Sequence, residues 1–550
     1  LVKNYFLTDE RTLLRKANEA IMALLLEFHY EKAEILEAYI NEVFLGQQGA
    51  YAVHGFGRAA EFYFDQPLER LDAHQVALLV GMVKGASYYN PRRNPDRALQ
   101  RRNLVLSDFE ETGLLAPAEA KAASAKGLGV TASPRTRGTR YLSFVDLVRR
   151  QLAQVYAEDD LRTEGLRIFT TLSPSEQEKA QRAVSQGLSD LARDGLPADL
   201  QGALVMADTA SGEVRALVGD RDPARFGFNR AIHGRRQVGS VIKPLVYLLA
   251  LEHPGDYNLL SRVEDEAISL KQPNGTTWSP KNFDGKSHGL VSLLEALTRS
   301  YNQATVRLGM EIGVNQLISR IAQLGVSADV DPVPSVFLGA VELTPLEVTQ
   351  IFQSIANAGF SVPLRSVIAV QTASGSELVR YPLRLLPQPH REALGVLNYA
   401  LVEVVEQGTA KRLPALLGKP VTVAGKTGTT NDRRDSWFVG YTRNRVAAAW
   451  VGHDDFSPAG VTGSNAAMRV WAGLFRDLPV EPVDLRVPEG AHYLWVDGPS
   501  GRLSAEGCDG AVQIPYVEGS EPMDMTACGA TVQDEDKESI WKKWFGRDKD

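Results

Sequence analysis

The sequence predicts a multidomain protein of the α plus mixed α/β class, and three observations lead to this prediction. The chain has 550 residues, whereas single hydrophobic cores stop growing at roughly 250–300 residues. Residues 1–110 show the apolar period of helices. From residue 201 onward, strand-like and helix-like runs are mixed. We therefore expect an α-helical first domain and a larger mixed domain, the latter built on a sheet with helices.

Composition excludes several classes of protein. Hydrophobic residues make up 44% of the chain and charged residues 23%, which is typical of a globular protein. The formal net charge of −7 argues against a dedicated nucleic-acid binder. No apolar run reaches the roughly 18–20 residues that span a bilayer. The start at Leu1 lacks a basic end followed by an apolar stretch, so we interpret the chain as a fragment or a processed product.

Local patterns divide the chain into five parts. They are a helical domain (1–112), a linker region (113–200), the mixed domain (201–480), a small C-terminal β segment (481–530) and a charged tail expected to be disordered (531–550). Helices are predicted at 11–28, 32–44, 73–83, 96–110, 141–158, 173–191, 241–251 and 292–312. Asp72 is the predicted N-cap of the third of these. Strands at 203–208, 213–218, 437–441 and 446–451 predict one sheet built from distant segments.

The only two cysteines are Cys508 and Cys528. They form no C-x-x-C motif, so metal ligation is a weak interpretation, and we predict no metal site. Two alternatives remain open from the residues themselves. The cysteines are either free thiols or a disulfide that closes a loop of about 20 residues and implies an oxidising compartment.

Three short motifs in the mixed domain carry the chemistry of a serine nucleophile. They are Ser240-Val-Ile-Lys243, Ser300-Tyr-Asn302 and Lys426-Thr427-Gly428-Thr429. A serine hydroxyl needs a base to take its proton, and a lysine three residues later on a helix shares its face. A lysine acts as a base only when burial or a neighbouring cation keeps it neutral, and Lys426 can supply that charge.

Each motif alone is weak evidence. A chance S-x-x-K is expected about once or twice in a chain of this length, and a helix cap beside a surface lysine is the simpler explanation of one. An S-x-N is equally common, and a K-T-G-T also suits a strand that ends in a turn. The occurrence of all three in this order is what favours a functional site.

The three motifs resemble the signature of penicillin-binding proteins and class A β-lactamases. Longer strings extend the resemblance to the transpeptidase domain of class A penicillin-binding proteins: 234–244, 338–348, 407–410, 425–431 and 435–438. The resemblance implies a β-lactamase-like fold with an antiparallel sheet. It implies that Ser240 is the nucleophile, Lys243 the general base and Ser300 a proton relay. The substrate-binding residues it implies are Asn302, Lys426, Thr427, Gly428 and Thr429. The second motif is S-Y-N rather than the S-D-N of β-lactamases, which favours peptide cross-linking over hydrolysis.

Strings in the first domain have a simple explanation and a functional one. The segments 15–19, 32–41 and 58–64 fit amphipathic helices with solvated charges. Placed before a transpeptidase, they also resemble the lysozyme-like glycosyltransferase domain of the same family. That resemblance implies that Glu19 is a catalytic glutamate. It implies that Lys3, Arg15 and Lys16 lie near the substrate pyrophosphate.

Further expectations follow from the family. Residues 80–91 look most like its 1B branch, where cysteines near the C-terminus also occur, and this favours the Cys508–Cys528 disulfide. The family's first glycosyltransferase motif, which carries the general-base glutamate, lies upstream of Leu1. We therefore expect glycan polymerisation by these 550 residues to be lost. Transpeptidation needs no cofactor, and a divalent cation, Mg or Mn, is a candidate cofactor for glycosyl transfer.

The resemblance thus implies a bifunctional peptidoglycan synthase that acts at the periplasmic face of the bacterial inner membrane, through an anchor that we expect to lie outside this chain. Expected partners are lipid II, nascent peptidoglycan, β-lactam antibiotics and an outer-membrane lipoprotein activator, and no nucleic acid. Two alternatives stay open. One is a D,D-carboxypeptidase or β-lactamase-type hydrolase, and the other is a non-catalytic β-lactam sensor. Turnover with an amine acceptor discriminates these two alternatives from a transpeptidase.

Overall fold

A computed structural model describes residues 13–48, 51–131, 141–157, 161, 165–223, 227–271, 275–357, 359–372 and 374–532. The chain divides into two compact units, Leu1–Arg140 and Tyr141–Asp550, and each is described by itself. In the described ranges, no helix combines the length and the apolar character needed to cross a bilayer.

The α-helices of the described ranges are numbered in chain order. They are α1 Leu13–His29, α2 Lys32–Glu42, α3 Phe56–Phe64, α4 Ala73–Met82, α5 Pro95–Glu111, α6 Pro117–Ala125, α7 Leu142–Leu152, α8 Pro174–Arg193, α9 Arg230–His233, α10 Lys243–Leu251, α11 Leu293–Arg299, α12 Asn302–Ile312, α13 Val314–Gln323, α14 Pro345–Ala356, α15 Arg391–Glu406, α16 Leu413–Leu417 and α17 Ala467–Phe475. Short 3-10 helices lie at Leu68–Arg70, Gly239–Ile242, Pro334–Leu338 and Asn431–Arg433.

The strands are numbered in the same way. They are β1 Phe44–Gln48, β2 Tyr51–His54, β3 Arg167–Thr170, β4 Gln201–Asp208, β5 Val214–Val218, β6 Arg236–Gln237, β7 Arg262–Asp265, β8 Leu270–Lys271, β9 Thr277–Trp278, β10 Gly289–Ser292, β11 Glu342–Leu343, β12 Phe360–Ser361, β13 Val367–Gln371, β14 Glu377–Arg380, β15 Leu386–Pro387, β16 Ala424–Thr429, β17 Asp435–Tyr441, β18 Arg445–Gly452, β19 Ala491–Asp497 and β20 Ala511–Val517.

The first unit contains the predicted helices and one hairpin that was not predicted. The helix predicted at 73–83 is α4, and Asp72 precedes it as expected. The helix predicted at 32–44 ends at Glu42, and β1 pairs antiparallel with β2. The reason is tertiary, because backbone groups after Glu42 bond to distant segments: the Gly55 amide donates to the Val43 carbonyl at 2.9 Å, and the buried Tyr63 hydroxyl donates to the Leu45 carbonyl at 3.0 Å.

The predicted linker region 113–200 is not a linker in the structure. Residues 113–131 belong to the first unit, where α6 buries Ala120 and Ala123. The fully buried Arg102 of α5 donates to the carbonyls of Ser124, Lys126 and Gly127 at 3.2, 2.9 and 3.2 Å. An alanine-rich helix has a weak apolar period, and for that reason this segment resembled a linker.

From residue 141 onward, the predicted linker lies in the second unit. The helices predicted at 141–158 and 173–191 are α7 and α8, and both bury apolar side chains in the main core. Helix α8 packs against β5 and α17. The approach to α17 is close, because a Cβ on Gly187 would lie 2.9 Å from Val470 Cγ2. The mixed domain therefore begins with α7, earlier than residue 201.

The second unit is built on a five-stranded sheet of order β16-β17-β18-β4-β5. Every neighbouring pair is antiparallel. Strands from residues 201–218 thus join strands from residues 424–452, as predicted from the strand patterns at the two ends of the domain. Trp437 and Trp450 face each other across β17 and β18 and are fully buried. Strand β16 is one of the two edge strands of this sheet, and β5 is the other.

The helix predicted at 292–312 is broken in the structure. Helix α11 ends at Arg299, α12 begins at Asn302, and Ser300 between them has a φ of +62°. This left-handed conformation is uncommon for a residue with a side chain. The break sets the second motif at the junction of two helices instead of within one.

The C-terminal segment 481–530 contains the antiparallel hairpin β19–β20. It shares the main core, since Val496, Ile514 and Tyr516 are buried there. Cys508 and Cys528 are joined in a disulfide. From residue 533 on, the tail predicted at 531–550 lies outside the described residues.

The disulfide closes a loop with a sequence separation of 20. We expect Cys508→Ser combined with Cys528→Ser to lower the free energy of unfolding of the C-terminal segment by about 3 kcal/mol, because the open chain gains conformational entropy. Urea unfolding followed by limited proteolysis of this segment measures the change. The wild-type chain under reducing agent is the matched control and should behave like the double variant. Equal stability with and without reductant would contradict the expectation.

Candidate active site

The first motif begins where the chain turns tightly against the edge of the sheet. Gly239 has a φ of +54°, and a Cβ there would lie 2.7 Å from the Thr429 carbonyl oxygen of β16. Only glycine fits both restrictions. Ser240 follows in the 3-10 helix, and Lys243 is the first residue of α10. In a 3-10 turn, residues i and i+3 lie on one face, so Ser240 and Lys243 share a face as predicted.

Lys243 is fully buried, and its amine points to the second motif. Its Nζ lies 2.7 Å from the Ser300 carbonyl, 2.7 Å from Asn302 Oδ1, 3.2 Å from the Tyr301 carbonyl and 3.3 Å from Ser300 Oγ. Ser240 Oγ is not among the hydrogen-bond partners that the structure describes for this amine. The break between α11 and α12 leaves the Ser300 carbonyl outside both helices and so available to Lys243.

Ser300 Oγ joins the two lysines of the motifs. It lies 3.3 Å from Lys243 Nζ and 3.0 Å from Lys426 Nζ. Lys426 is also fully buried, and it donates to the Thr427 carbonyl at 3.1 Å. A hydroxyl can donate and accept at once, so Ser300 is placed to pass a proton between the two amines.

Burial favours the neutral form of both lysines. It lowers the pKa of Lys426 to about 7. Burial and then the charge on Lys426 hold the pKa of Lys243 well below its ordinary range, while the charge on Asp265 acts in the opposite direction. A neutral amine has two donors and a lone pair, so Lys243 can donate to its two nearest acceptors and still accept a proton.

Asn302 holds Lys243 in place. Its Oδ1 accepts from Lys243, while its Nδ2 donates to the Lys281 carbonyl at 2.7 Å. One amide hydrogen and one lone pair of Asn302 remain for a substrate amide. Its predicted role in substrate binding is thus compatible with the structure, and positioning of the base is a second role that the sequence did not indicate.

The third motif runs along the edge strand β16. The Thr427 hydroxyl lies 2.7 Å from that of Thr409, and Thr429 Oγ1 accepts from the Gly463 amide at 3.0 Å. Gly428 is required by packing, since a Cβ there would lie 2.7 Å from the Val238 carbonyl. The structure therefore brings the three motifs together at one edge of the sheet.

Residues that the sequence analysis missed support the second motif from behind. Asn282 Oδ1 accepts from the amides of Asn302 and Gln303 at 2.6 and 3.3 Å, and the buried Asp265 accepts from the Ala304 amide at 3.0 Å. The two side chains thus cap the first turn of α12. The segment 278–284, which contains Asn282, mixes aromatic, polar and proline residues without periodicity, so it gave no signal.

The predicted glycosyltransferase residues are only partly described. Lys3 lies outside the described residues, and so do the side chains of Arg15 and Glu19 on α1. Lys16 is exposed on the same helix. Within the described ranges, no cluster of three or more His, Cys, Asp or Glu side chains is placed to hold a metal ion. The roles of Lys3, Arg15, Lys16 and Glu19 and the divalent cation remain predictions.

Comparison with known proteins gives matches in both units. Residues 1–110 match the family model described as "Transglycosylase", and residues 202–469 match "Penicillin binding protein transpeptidase domain". The chain is 41% identical to penicillin-binding protein 1B of Vibrio cholerae serotype O1, a match that covers 95% of this chain and 67% of that protein. The chain belongs to the class A penicillin-binding proteins.

Other members of the family agree. Penicillin-binding protein 1B of Escherichia coli is 40% identical, over 96% of this chain and 62% of its own length. Penicillin-binding protein 1A of Aquifex aeolicus is 31% identical, over 95% of this chain and 81% of its own length. The chain thus spans about two thirds of the length of the Vibrio cholerae and Escherichia coli proteins that it matches.

Solved structures show the same fold. The 2.6 Å crystal structure of penicillin-binding protein 1A from Haemophilus influenzae has a TM-score of 0.73 at 23% identity, over 90% of this chain and 92% of that one. The penicillin-binding protein PonA1 from Mycobacterium tuberculosis has a TM-score of 0.54 at 23% identity, over 62% of this chain and 93% of that one. The predicted fold class, a glycosyltransferase domain followed by a transpeptidase domain with an antiparallel sheet, is confirmed.

Burial of Lys426 predicts how stability depends on pH. Its pKa is about 7 in the folded state and near 10.5 otherwise, so the unfolded chain binds more protons between these values and stability rises with pH across them. We expect Lys426→Met to raise the free energy of unfolding at pH 6 by roughly 1–4 kcal/mol and to reduce the slope between pH 7 and 10. Urea unfolding at pH 6, 8 and 10 measures both.

The exposed Lys411 supplies the control for this experiment. Lys411→Met should leave the slope between pH 7 and 10 at its wild-type value. If Lys426→Met keeps the wild-type slope, or is less stable than wild type at pH 6, Lys426 is not the neutral buried amine described above.

Proposed function

We propose that the chain is a peptidoglycan synthase whose second unit cross-links stem peptides through a Ser240 acyl-enzyme. The observation that supports this most directly is the convergence of two buried lysines on Ser300 Oγ, because one of them, Lys243, lies one turn after Ser240. Buried amines with lowered pKa values are the bases that a serine nucleophile needs near neutral pH.

In the first half-reaction, Ser240 Oγ attacks the carbonyl carbon of the D-Ala–D-Ala peptide bond. Its proton passes to Lys243 Nζ. The C–N bond then breaks, and the proton moves through Ser300 Oγ to the amine of the departing D-Ala. An ester on Ser240 remains. The backbone N–H groups of Ser240 and Thr429 are our candidates for stabilising the oxyanion.

In the second half-reaction, an amine of a neighbouring stem peptide attacks the ester carbonyl. It loses a proton to the Lys243–Ser300 pair, and Ser240 Oγ leaves with a proton. The product is a new amide bond, the cross-link. The edge position of β16 suits this role, because an extended peptide can add to an unpaired strand edge.

The binding of β-lactam antibiotics is part of the same proposal. A β-lactam resembles the D-Ala–D-Ala end, and Ser240 attack would open its ring and leave a slowly resolved ester. The names of the relatives support this, since each is a penicillin-binding protein.

We expect a fluorescent penicillin to label the chain covalently on the peptide that contains Ser240, because the lowered lysine pKa values favour acylation at neutral pH. Ser240→Ala should abolish the label, whereas Ser189→Ala, which changes an exposed serine of α8, should retain it. Gel fluorescence and peptide mapping measure both. An unlabelled wild-type chain that still unfolds cooperatively would refute the acyl-enzyme.

The fate of the acyl group separates the three candidate functions. A transpeptidase joins a D-amino acid or stem-peptide amine to the donor in proportion to the acceptor concentration. A hydrolase releases the free acid whether or not an acceptor is present. A sensor is acylated once and then releases neither a cross-linked product nor the free acid. Mass spectrometry of the products with and without acceptor distinguishes them.

For the first unit, we propose that it binds lipid II and, in the full-length protein, polymerises it with Glu19 as a catalytic glutamate. The match to the transglycosylase family over residues 1–110 supports this. Lys3, Arg15 and Lys16 would lie near the pyrophosphate, where cationic side chains form charge-assisted hydrogen bonds. A divalent cation would assist the same leaving group.

We expect the combined change Lys3→Ala, Arg15→Ala and Lys16→Ala to weaken binding of lipid II at least about tenfold, because the loss of even one ionic hydrogen bond of roughly 1.5–3 kcal/mol corresponds to that factor. Lipid II in detergent micelles, followed by fluorescence anisotropy, is the measurement. Lys121→Ala combined with Lys126→Ala and Lys411→Ala, which removes three exposed lysines elsewhere, is the charge-matched control. Equal affinity of all three proteins would remove these residues from the site.

The site of action belongs to the proposal as well. We propose the periplasmic face of the bacterial inner membrane, with nascent peptidoglycan as substrate and an outer-membrane lipoprotein as activator. The Cys508–Cys528 disulfide supports an oxidising compartment.

A further inference from the structure

A histidine outside the three motifs lies directly beside the second one. His288 Nδ1 is 2.7 Å from Oδ2 of Asp265, a carboxylate that is fully buried at the end of β7. The His288 amide donates to the same oxygen at 3.2 Å. Asp265 also accepts from the Ala304 amide in the first turn of α12. One carboxylate therefore joins His288 to the helix that carries Asn302.

The second ring nitrogen of His288 also faces a carboxylate. His288 Nε2 lies 3.0 Å from Asp284 Oδ2. A carboxylate only accepts hydrogen bonds, so an imidazole between two of them is best satisfied when both nitrogens carry hydrogen. The bond to Asp265, and then the charge on Asp284, raise the pKa of His288 above its ordinary value. The geometry thus favours the imidazolium.

The ring of His288 lies flat on a residue of the second motif. Its centroid is 4.0 Å from that of Tyr301, and the two planes differ by 13°. A cation on the face of an aromatic ring is attracted to it. The Tyr301 carbonyl accepts from Lys243 Nζ at 3.2 Å, so this stack also helps to fix an acceptor of the base.

The charges around His288 come from several elements. Asp265 lies on β7 and Asp284 in the loop before β10; from α11, the charges of Glu295 and Arg299 act on the Tyr301 phenol. Lys243 on α10 is affected by Asp265, whose charge raises the lysine pKa against the effects of burial and of Lys426. A positive His288 in contact with Asp265 offsets that carboxylate.

We propose that His288 is a positioning residue that, as an imidazolium, offsets the charge of Asp265 beside Lys243 and thereby extends toward lower pH the range in which Lys243 accepts the proton of Ser240. The inference rests on the proposed function, because it concerns the acylation of Ser240. It assigns a role in the reaction to a residue that lies outside all three motifs.

The test is the second-order rate constant for acylation of the full chain by a fluorescent penicillin between pH 5.5 and 9.5. In His288→Gln, we expect the rising limb of the profile to move to higher pH by about half a unit to one unit, which lowers the rate about three- to tenfold below that limb. His288→Lys, which keeps the positive charge without the ring, should keep the wild-type limb. His253→Gln, at an exposed histidine of the same unit, should leave the profile unchanged.

Asp284→Asn provides a second route to the same result. Asp284 is half-exposed, so the variant folds without a buried change, and loss of this carboxylate lowers the pKa of His288. We expect the rising limb of the pH–rate profile of Asp284→Asn to move to higher pH, as in His288→Gln, but by less.

The outcomes separate the two hypotheses. If the wild-type chain is not acylated at any pH, the proposed function fails. If the wild type is acylated and both His288→Gln and Asp284→Asn keep its profile, the inference on His288 is overturned while the function stands. If His288→Gln and His288→Lys lose rate equally at every pH with no shift of the limb, His288 has only a structural role, which also overturns it.

Discussion

Burial of two lysine amines around one hydroxyl is the constraint on which the rest of the second unit depends. A buried ammonium is expensive unless hydrogen bonds surround it, and a lysine that serves as a base has to be kept close to neutrality. The chain meets both demands with backbone groups. Ser300, in its left-handed conformation, interrupts the helix, and the carbonyls of Ser300 and Tyr301 accept hydrogen bonds from Lys243 Nζ.

An interrupted helix creates a second problem, because the first turn of α12 has amides without intrahelical partners. Asn282 and Asp265 supply the acceptors from outside the helix. This arrangement explains why a site of three short motifs needs a domain of this size. The edge strand, the interrupted helix pair and the capping residues come from segments far apart in the chain, and the antiparallel sheet holds them in register.

The extent to which the sequence predicted this site depended on the type of interaction. Apolar patterns predicted the strands of the central sheet, and motif spacing predicted that Ser240, Lys243, Ser300 and Lys426 act together. The break at Ser300 could not be predicted, because the apolar period continues across it and nonlocal acceptors decide where the helix ends. Asp265, Asn282 and His288 were missed because buried polar contacts between distant segments leave no periodic signal. The alanine-rich segment 113–131 was misjudged because alanine contributes little to an apolar pattern.

The glycines around Ser240 restrict which substitutions the first and third motifs can accept. At Gly239 and Gly428, any side chain would collide with backbone atoms of the neighbouring segment, so neither position accepts a substitution without a backbone shift. In the proposed reaction, a change at Ser240, Lys243 or Lys426 removes the chemistry itself. Variation that keeps the proposed reaction but alters the binding of an inhibitor is therefore expected at exposed side chains such as Phe283 and Arg433, which are in contact with each other, and not at these two glycines.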